Sequence, residues 1–424
     1  MALVQNRECP ECGTDLPVAE GFASWCHQCG WNLKAPEREQ AHGRLDRLYE
    51  AAGRRLGERL VGQMLAAEQL EPRLTPARLA AAAIAVAVYA LTLALLVGGV
   101  ALAVVAFPNP AALVASVIMV GTGFLMRPRP GKPPKEGIVT RAEAPLLYAL
   151  VDEVASALQT RSADLIVIDH EYNAGWAVLG WRRRRFLKLG LPLLCALGPQ
   201  ERVALIAHEL AHGRNGDSSR SFLVGSALEG LGELYLLVAP DDRGEVQGWE
   251  LGGLDGILNA FFYVLSRPVY WLLLLQLHLL ARDSQRAEYL ADALAARVAG
   301  TAAVIPLHEK LLLDSTFRSV IQRGAQGGAA ETDTFDELAA VFAAMPERER
   351  ERRRRVARLE GASLGASHPP TAHRLRLLEG RPAAEAQVVL TEERSATVDA
   401  ELSRHRKALQ QELLEEYRDS LYYG

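Results

Sequence analysis

The chain has 424 residues, which leaves room for two or three domains. Its formal net charge of −4 gives no electrostatic case for nucleic-acid binding, so no nucleic-acid partner is expected. Hydrophobic residues make up 49% of the sequence, but they are unevenly distributed, which indicates membrane segments. Polar, cysteine-containing sequence follows Met1 where a signal peptide would have a basic region and an apolar core. We therefore expect no cleavable signal peptide.

The N-terminus, residues 1–34, is predicted to be a zinc ribbon. It carries two C-x-x-C pairs, made of Cys9, Cys12, Cys26 and Cys29. Two such pairs can present four thiolates to one structural zinc ion. Two disulfides are the alternative, which the reducing compartment inferred below disfavours. Trp25 and Trp31 are either a surface for a protein partner or the small core of the ribbon.

Residues 35–78 are charged and predict a helical linker, for which a plain solvated helix is the alternative.

Residues 79–126 predict a transmembrane hairpin. Its first arm, Leu79–Phe107, is almost entirely apolar and long enough to span a bilayer. The second arm, Ala111–Met126, is shorter, and Pro108-Asn109-Pro110 predicts the turn. A hairpin buried in a soluble protein is the alternative.

The charges that flank this hairpin predict its orientation. Basic residues lie at both outer ends: Arg73, Arg78, Arg127, Arg129, Lys132 and Lys135. The turn has no charge, so the positive-inside rule places both ends of the hairpin in the cytoplasm.

The next region predicts helix and strand. Ala142–Leu158 has the pattern of an amphipathic helix, and Leu165–Ile168 that of a short buried strand. Asn173 and Ala174 come shortly afterwards. The arginines at 182–185 predict the tip of a hairpin that faces solvent or lipid headgroups. A site for an acidic substrate is the less favoured interpretation.

The stretch Val203–His212 predicts a helix that contains the motif H-E-x-x-H. Its histidines, His208 and His212, lie at i and i+4 on one helix face and can supply two of the three protein ligands of an open zinc site. Glu209 lies about 100° around the helix, where it can take a proton from the attacking water and pass it to a leaving amine. The motif alone also occurs by chance on surface helices, but here the surrounding residues are apolar.

A second motif supplies the remaining ligand. Glu288 and Asp292 are again four residues apart on a predicted helix. One carboxylate can bind the metal while the other orients a histidine. Without the first motif, two exposed acids on an alanine-rich helix would be the simpler interpretation.

H-E-x-x-H followed by E-x-x-A-D resembles the integral-membrane gluzincin metallopeptidases, namely the HtpX-like heat-shock proteases and the CAAX prenyl-proteases. The resemblance implies that His208, His212 and Glu288 bind a catalytic zinc ion, that Glu209 is the base, and that Asp292 orients a ligand. It also implies that the strand near Asn173 and Ala174 pairs with the backbone of the substrate. The family usually has an arginine three residues before the glutamate, where this sequence has Gln285 followed by Arg286.

Two further features agree with this family. A second membrane hairpin is predicted at 221–281, with an apolar run interrupted by Arg267-Pro268 and an acidic turn that includes Asp241, Asp242 and Glu245. The motif that begins at His368-Pro369-Pro370 and continues to Arg374 resembles the C-terminal motif of the family, where the histidine and arginine lie near the metal. The alternative interpretation is that His368 is only a polar residue at the N-terminus of a helix.

The predicted fold is mainly α and integral to the membrane. It has a helical zincin-type metallopeptidase domain with a small β-sheet at 136–390, transmembrane hairpins, the N-terminal zinc ribbon and a C-terminal helix at 391–424.

The predicted function is a zinc endopeptidase of the cell membrane that faces the cytoplasm and acts on peptides or membrane proteins, with His368 or Arg374 stabilising the oxyanion. One alternative is a catalytically idle scaffold that recruits a partner through the ribbon, which the intact Glu209 disfavours. The other is a nucleic-acid tether, which the absence of a basic patch disfavours.

Overall fold

The computed structural model describes residues 4–19, 22–34, 44–239, 255–326, 333–363 and 366–423. The chain divides into two compact units. The first unit comprises Met1–Glu71, Pro133–Asn215 and Arg286–Gly424; the second comprises Pro72–Lys132 and Gly216–Gln285. The two segments of the second unit contain the predicted hairpins. The acidic turn predicted at Asp241, Asp242 and Glu245 lies outside the described residues, as do residues 35–43 of the predicted linker.

The described helices and strands follow one another along the chain in this order: β1 Val4–Glu8, β2 Asp15–Ala19, α1 Arg44–Ala66, α2 Pro76–Val105, α3 Pro110–Leu125, β3 Ile138–Val139, α4 Pro145–Ala157, β4 Leu165–Asp169, β5 Ala174–Leu179, β6 Arg184–Gly190, α5 Leu191–Ala196, α6 Pro199–Arg214, α7 Asp217–Val238, α8 Asp255–Ala299, α9 Thr301–Leu311, α10 Asp314–Gln326, α11 Thr334–Ala343, α12 Glu347–Leu359, α13 Thr371–Glu379 and α14 Glu392–Tyr423.

In the second unit, α2 and α3 form the predicted hairpin, and glycines let the two helices approach closely. A side chain at Gly99 would meet Val120 at 2.8 Å, and the Ser116 hydroxyl donates a 2.6 Å hydrogen bond to the carbonyl of Gly99. Glu233 of α7 also has a partner within this unit, because it forms an ion pair with Arg129 at 2.7 Å.

By length and composition, two of the described helices could cross a membrane: Pro76–Val105, with a mean hydropathy of 2.5, and Asn259–Ala299, with 1.4. The helix Pro110–Leu125 is apolar but shorter. Helix α8 continues through Pro268, so the interruption in the apolar sequence at Arg267-Pro268 does not end the helix. The guanidinium of Arg267 lies 4.5 Å from the ring centroid of Tyr263, a contact that offsets part of the cost of a charge among apolar residues.

In the first unit, a four-stranded sheet with the order β3-β4-β6-β5 packs against helices. Strands β4 and β6 are parallel, and the other neighbouring strands are antiparallel. The order of the strands places β5 at one edge of the sheet. The predicted buried strand is confirmed as β4. Tyr148 of α4 fixes the helix to the sheet, because its hydroxyl donates to the carbonyl of Val139 and accepts from the N–H of Ile166.

The C-terminal helix α14 is part of the core of the first unit. Its apolar face buries Val398, Leu402 and Leu413. Arg202 of α6 is also buried, and it donates hydrogen bonds to Ser395 at 2.9 Å and to Asp399 at 2.8 Å on α14. The tail therefore supports the helix that carries H-E-x-x-H.

The N-terminal ribbon consists of the β1–β2 hairpin and the four cysteines, and its small core holds Leu16 and part of Trp31. Trp25 is only 2% exposed, because two arginines of α12 cover it. The guanidiniums of Arg348 and Arg355 each lie 5.0 Å from the ring centroid of Trp25. They also donate hydrogen bonds to the backbone carbonyls of Trp25 and His27, both at 2.5 Å. The ribbon is thus docked on α12 of the same unit, and this contact buries Trp25.

Candidate metal centre

Two helices bring the predicted ligands together. His208 and His212 lie on α6, which is buried along most of its length, and Glu288 lies on α8. One ligand atom from each of these three residues lies within 4.8 Å of the other two. Nε2 of His208 is 3.4 Å from Oε2 of Glu288, and Nε2 of His212 is 3.6 Å from Oε1 of the same carboxylate. Residues far apart in sequence therefore converge on one point.

This arrangement fits a zinc ion. Ligand atoms about 2.1 Å from zinc in a tetrahedron are separated by about 3.4 Å, close to the distances between Glu288 and the two histidines. Oε2 of Glu288 is buried and accepts no hydrogen bond, although Arg374 lies 3.1 Å away as an ion-pair partner. A cation would satisfy this oxygen. Three protein ligands also leave a fourth position open for water or substrate, as catalytic zinc sites require.

Glu209 is buried on α6 next to His208. The structure thus places the predicted base in the same buried region as the ligands.

Asp292 holds His208 from behind. Its Oδ1 lies 3.0 Å from Nδ1 of His208, so the imidazole can donate its Nδ1 proton there and present Nε2 to the metal. The side chain of Asp292 is fully buried, and Arg374 compensates its charge with two hydrogen bonds, from Nε at 2.8 Å and from Nη2 at 2.6 Å. This is the position that the E-x-x-A-D spacing predicts for Asp292.

His308 of α9 also belongs to this network, and sequence reasoning missed it. Its Nε2 lies 3.0 Å from Oδ1 of Asp292, and its side chain is buried. The signal for His308 in the sequence is weak, because a single histidine within the apolar pattern of a helix is usually part of the core. Helix α9 packs against α6, whose His208 contacts the same carboxylate of Asp292.

His368 and Arg374 lie on opposite sides of the Glu288 carboxylate. Nδ1 of His368 is 2.9 Å from Oε1 of Glu288, and 68% of the His368 side chain is exposed. Arg374 is buried and directs its three guanidinium nitrogens at Asp292 and Glu288. Both residues therefore lie beside the ligands, but of the two only His368 faces solvent.

The charges of the network shift several pKa values. Burial alone would lower the pKa of His208, but its contacts with the carboxylates of Asp292 and Glu288 raise it to about 10. Burial also lowers the pKa of His212. The hydrogen bond to Glu288 raises the pKa of His368. Because zinc binds the neutral imidazole, zinc binding and protonation of His208 compete.

The predicted substrate edge lies beside this centre. Ala174 begins the edge strand β5, and Asn173 precedes it, where its carbonyl accepts a 2.8 Å hydrogen bond from the N–H of Gly190. Two residues further on, the ring of Trp176 packs on α6 at Gly213, immediately after His212. A side chain at Gly213 would meet this ring at 3.2 Å, so glycine favours the close approach. Gln285, in the position where the resembling family has arginine, is buried.

The four N-terminal cysteines form a second candidate metal site. Their sulfur atoms all lie within 4.8 Å of one another. The pairs Cys9–Cys29 and Cys12–Cys26 have sulfur separations of 3.6 Å, and all four residues are free thiols. Thiolates about 2.3 Å from zinc in a tetrahedron are separated by about 3.8 Å. The cluster is therefore compatible with a zinc ribbon.

The H-E-x-x-H helix, the downstream glutamate and the small mixed sheet together define a zincin-type metallopeptidase. A comparison with known families agrees: the sequence pattern of peptidase family M48 matches residues 142–382. This range is more than half of the chain, and the chain belongs to that family. None of the curated proteins matches the chain. The matched range includes all the candidate residues around the histidines, whereas the ribbon and the C-terminal helix lie outside it.

The two metal sites predict independent losses of zinc. The purified protein should contain one zinc ion at each site, and metal analysis by mass spectrometry measures both. Cys12→Ser should remove only the ribbon zinc, because only three of its four thiolate ligands remain. His212→Ala should remove only the zinc bound by His208, His212 and Glu288. If both substitutions abolish the same single zinc ion, the two sites are not those described.

His308 should affect the affinity of the centre for zinc. His308→Ala removes a donor from the buried carboxylate of Asp292, and loss of such a supporting contact typically weakens metal binding by about 10–100-fold. His308→Gln, which keeps an N–H donor, should restore part of the affinity. Competition with a chelator measures it, and His373→Ala is the control, since His373 bonds to Glu58 instead. If His308→Ala binds zinc with the affinity of the wild type, His308 does not support the metal centre.

Proposed function

We propose that this protein is a membrane-embedded zinc endopeptidase that hydrolyses peptide bonds on the cytoplasmic side of the cell membrane, in the processing or quality control of membrane proteins. The convergence of His208, His212 and Glu288 beside the buried Glu209 carries this proposal. A scaffold without activity would not need a base beside three metal ligands. Membership of peptidase family M48 supports hydrolysis of peptides.

Each residue of the centre has a defined task in this proposal. Zinc, when bound, supplies a Lewis acid that polarises the scissile carbonyl and activates water. Glu209 accepts the proton of the attacking water and delivers it to the leaving amine. Asp292 and Arg374 keep His208 oriented, and the β5 edge at Asn173 and Ala174 holds the substrate as an added strand.

The contacts distinguish the roles of His368 and Arg374, which sequence reasoning treated alike. The guanidinium of Arg374 is committed to two buried carboxylates, so its removal would leave Asp292 with only its two histidine partners. We therefore assign Arg374 to holding the ligands in place. His368 is exposed beside Glu288 and is the better candidate for donating to the oxyanion.

The membrane part of the proposal rests on composition and charge. Helices Pro76–Val105 and Asn259–Ala299 are long and apolar enough to cross a bilayer. Large apolar side chains of α2 and α3 are exposed in the structure, among them Val100, Val104, Val117 and Ile118. Lipid would cover this surface. The basic residues that flank the hairpin place both its ends in the cytoplasm.

Glu209→Gln tests the catalytic proposal. The variant should keep its fold and its zinc, because no ligand changes, while peptide hydrolysis falls by several orders of magnitude, since the proton carrier is lost. Hydrolysis of a casein-type or membrane-protein substrate measures the rate, and metal analysis of the same preparation is the control. Turnover near that of the wild type would refute the peptidase assignment.

Topology reporters test the membrane placement. Fusions after residue 34 and at the C-terminus should report the cytoplasm, because both hairpins return the chain to the side from which it entered. A fusion at Asn109 should report the outside. A fusion at Arg243 tests the second hairpin separately; a cytoplasmic signal there would show that residues 221–281 do not span the membrane.

A further inference from the structure

The β5–β6 hairpin ends in a tip made of residues 179–184, with the sequence Leu-Gly-Trp-Arg-Arg-Arg. Gly180 and Arg183 have positive φ angles of 72° and 47°, and the N–H of Arg183 donates a 3.0 Å hydrogen bond to the carbonyl of Gly180. The tip is therefore a tight, internally bonded turn. Its most prominent side chain is Trp181, which is 85% exposed, more than any other tryptophan in the described part of the chain.

The charge at this tip is positive. Arg182, Arg183 and Arg184 are exposed, and residues 179–184 include no acid. Arg185, the next residue, is different, because it forms an ion pair with Asp164. Arg182 makes no hydrogen bond or ion pair with any residue that the structure describes, while the charge of Arg184 helps to lower the pKa of Asp164. A large exposed aromatic ring beside several arginines suits a surface outside the chain that is both apolar and anionic.

We infer that this tip docks on the anionic surface of a lipid bilayer, with Trp181 among the headgroups and the arginines on phosphates. A tryptophan has an apolar body and an N–H donor, which suits it to the boundary between headgroups and acyl chains. Arginine binds phosphate through two parallel hydrogen bonds. A convex tip offers no groove for a peptide, whereas a membrane surface accepts a protruding turn. The inference rests on the membrane location proposed above.

This contact would also define the class of substrate. Strand β5 runs from the tip to Ala174, a six-residue strand of about 20 Å. Near its other end, Trp176 packs on Gly213 beside the ligand His212. Docking of the tip would therefore hold the free edge of the sheet at one height above the bilayer. Substrates would be extended segments of membrane proteins that emerge within about 20 Å of the headgroups, and not distant soluble loops.

Tryptophan fluorescence in reconstituted vesicles tests the docking. The full-length protein has six tryptophans, so the signal of Trp181 is obtained as the difference between wild type and Trp181→Phe. Vesicles contain brominated phosphatidylcholine, either alone or with phosphatidylglycerol as the anionic lipid. With phosphatidylglycerol, the Trp181 signal should shift to the blue and be quenched by bromine. Trp176→Phe is the depth control, since the signal of Trp176, on the same hairpin but away from the tip, should not be quenched.

Substitution of the arginines is a second test of the docking. Arg182→Gln combined with Arg184→Gln should weaken docking, by a factor of about five for each arginine lost near an anionic surface, and so reduce the quenching of Trp181. A Trp181 signal that stays red-shifted and unquenched in anionic vesicles would overturn the inference. So would quenching that is equal in both lipids and unaffected by the arginine substitutions, because the surface would then not be recognised by its charge.

Peptide hydrolysis by the same vesicles separates this inference from the proposed function. An active enzyme with unquenched Trp181 overturns only the docking of the tip. An inactive enzyme with quenched Trp181 overturns the peptidase proposal and supports the docking.

Discussion

The buried carboxylate of Asp292 is the constraint on which the centre depends. An unpaired charge in a protein interior costs several kcal/mol, so this carboxylate requires partners on every side. The structure supplies one from each of three helices: His208 from α6, His308 from α9 and Arg374 from α13. With Asp292 itself on α8, one side chain ties four helices together. The orientation of a metal ligand is thus a property of how these helices pack.

The ribbon is connected to the same helices through α12. Arg348 and Arg355 hold Trp25 on one side of this helix, and Arg354 forms an ion pair at 3.2 Å with Glu309 of α9, next to His308. Helix α12 also packs against α13, which carries Arg374. The ribbon, whose own core is small, therefore lies one helix away from the residues that support the centre.

The edge strand β5, which we propose holds the substrate, depends on the same metal helix. Its distance from the metal helix is set by an aromatic ring that packs on a glycine, at Trp176 and Gly213. A methyl group at this glycine would lie 3.2 Å from the ring, so the ring of Trp176 would have to shift by a few tenths of an ångström. In the proposed function this contact matters, because rates depend on the alignment of reacting groups.

Local spacing in the sequence determined much of this protein. Residues four apart on a helix share a face wherever the helix lies, so His208 and His212 could be paired without a structure, as could Glu288 and Asp292. The same holds for the C-x-x-C pairs, the apolar helix α2 and the buried strand β4. Only the tertiary structure decided which distant residues meet. His308 reaches Asp292 from 16 residues away, Arg374 from 82, and Arg348 reaches the ribbon from 323. Such contacts follow from the packing of helices whose sequences record only that one face is apolar, and not which charged side chain that packing will bury.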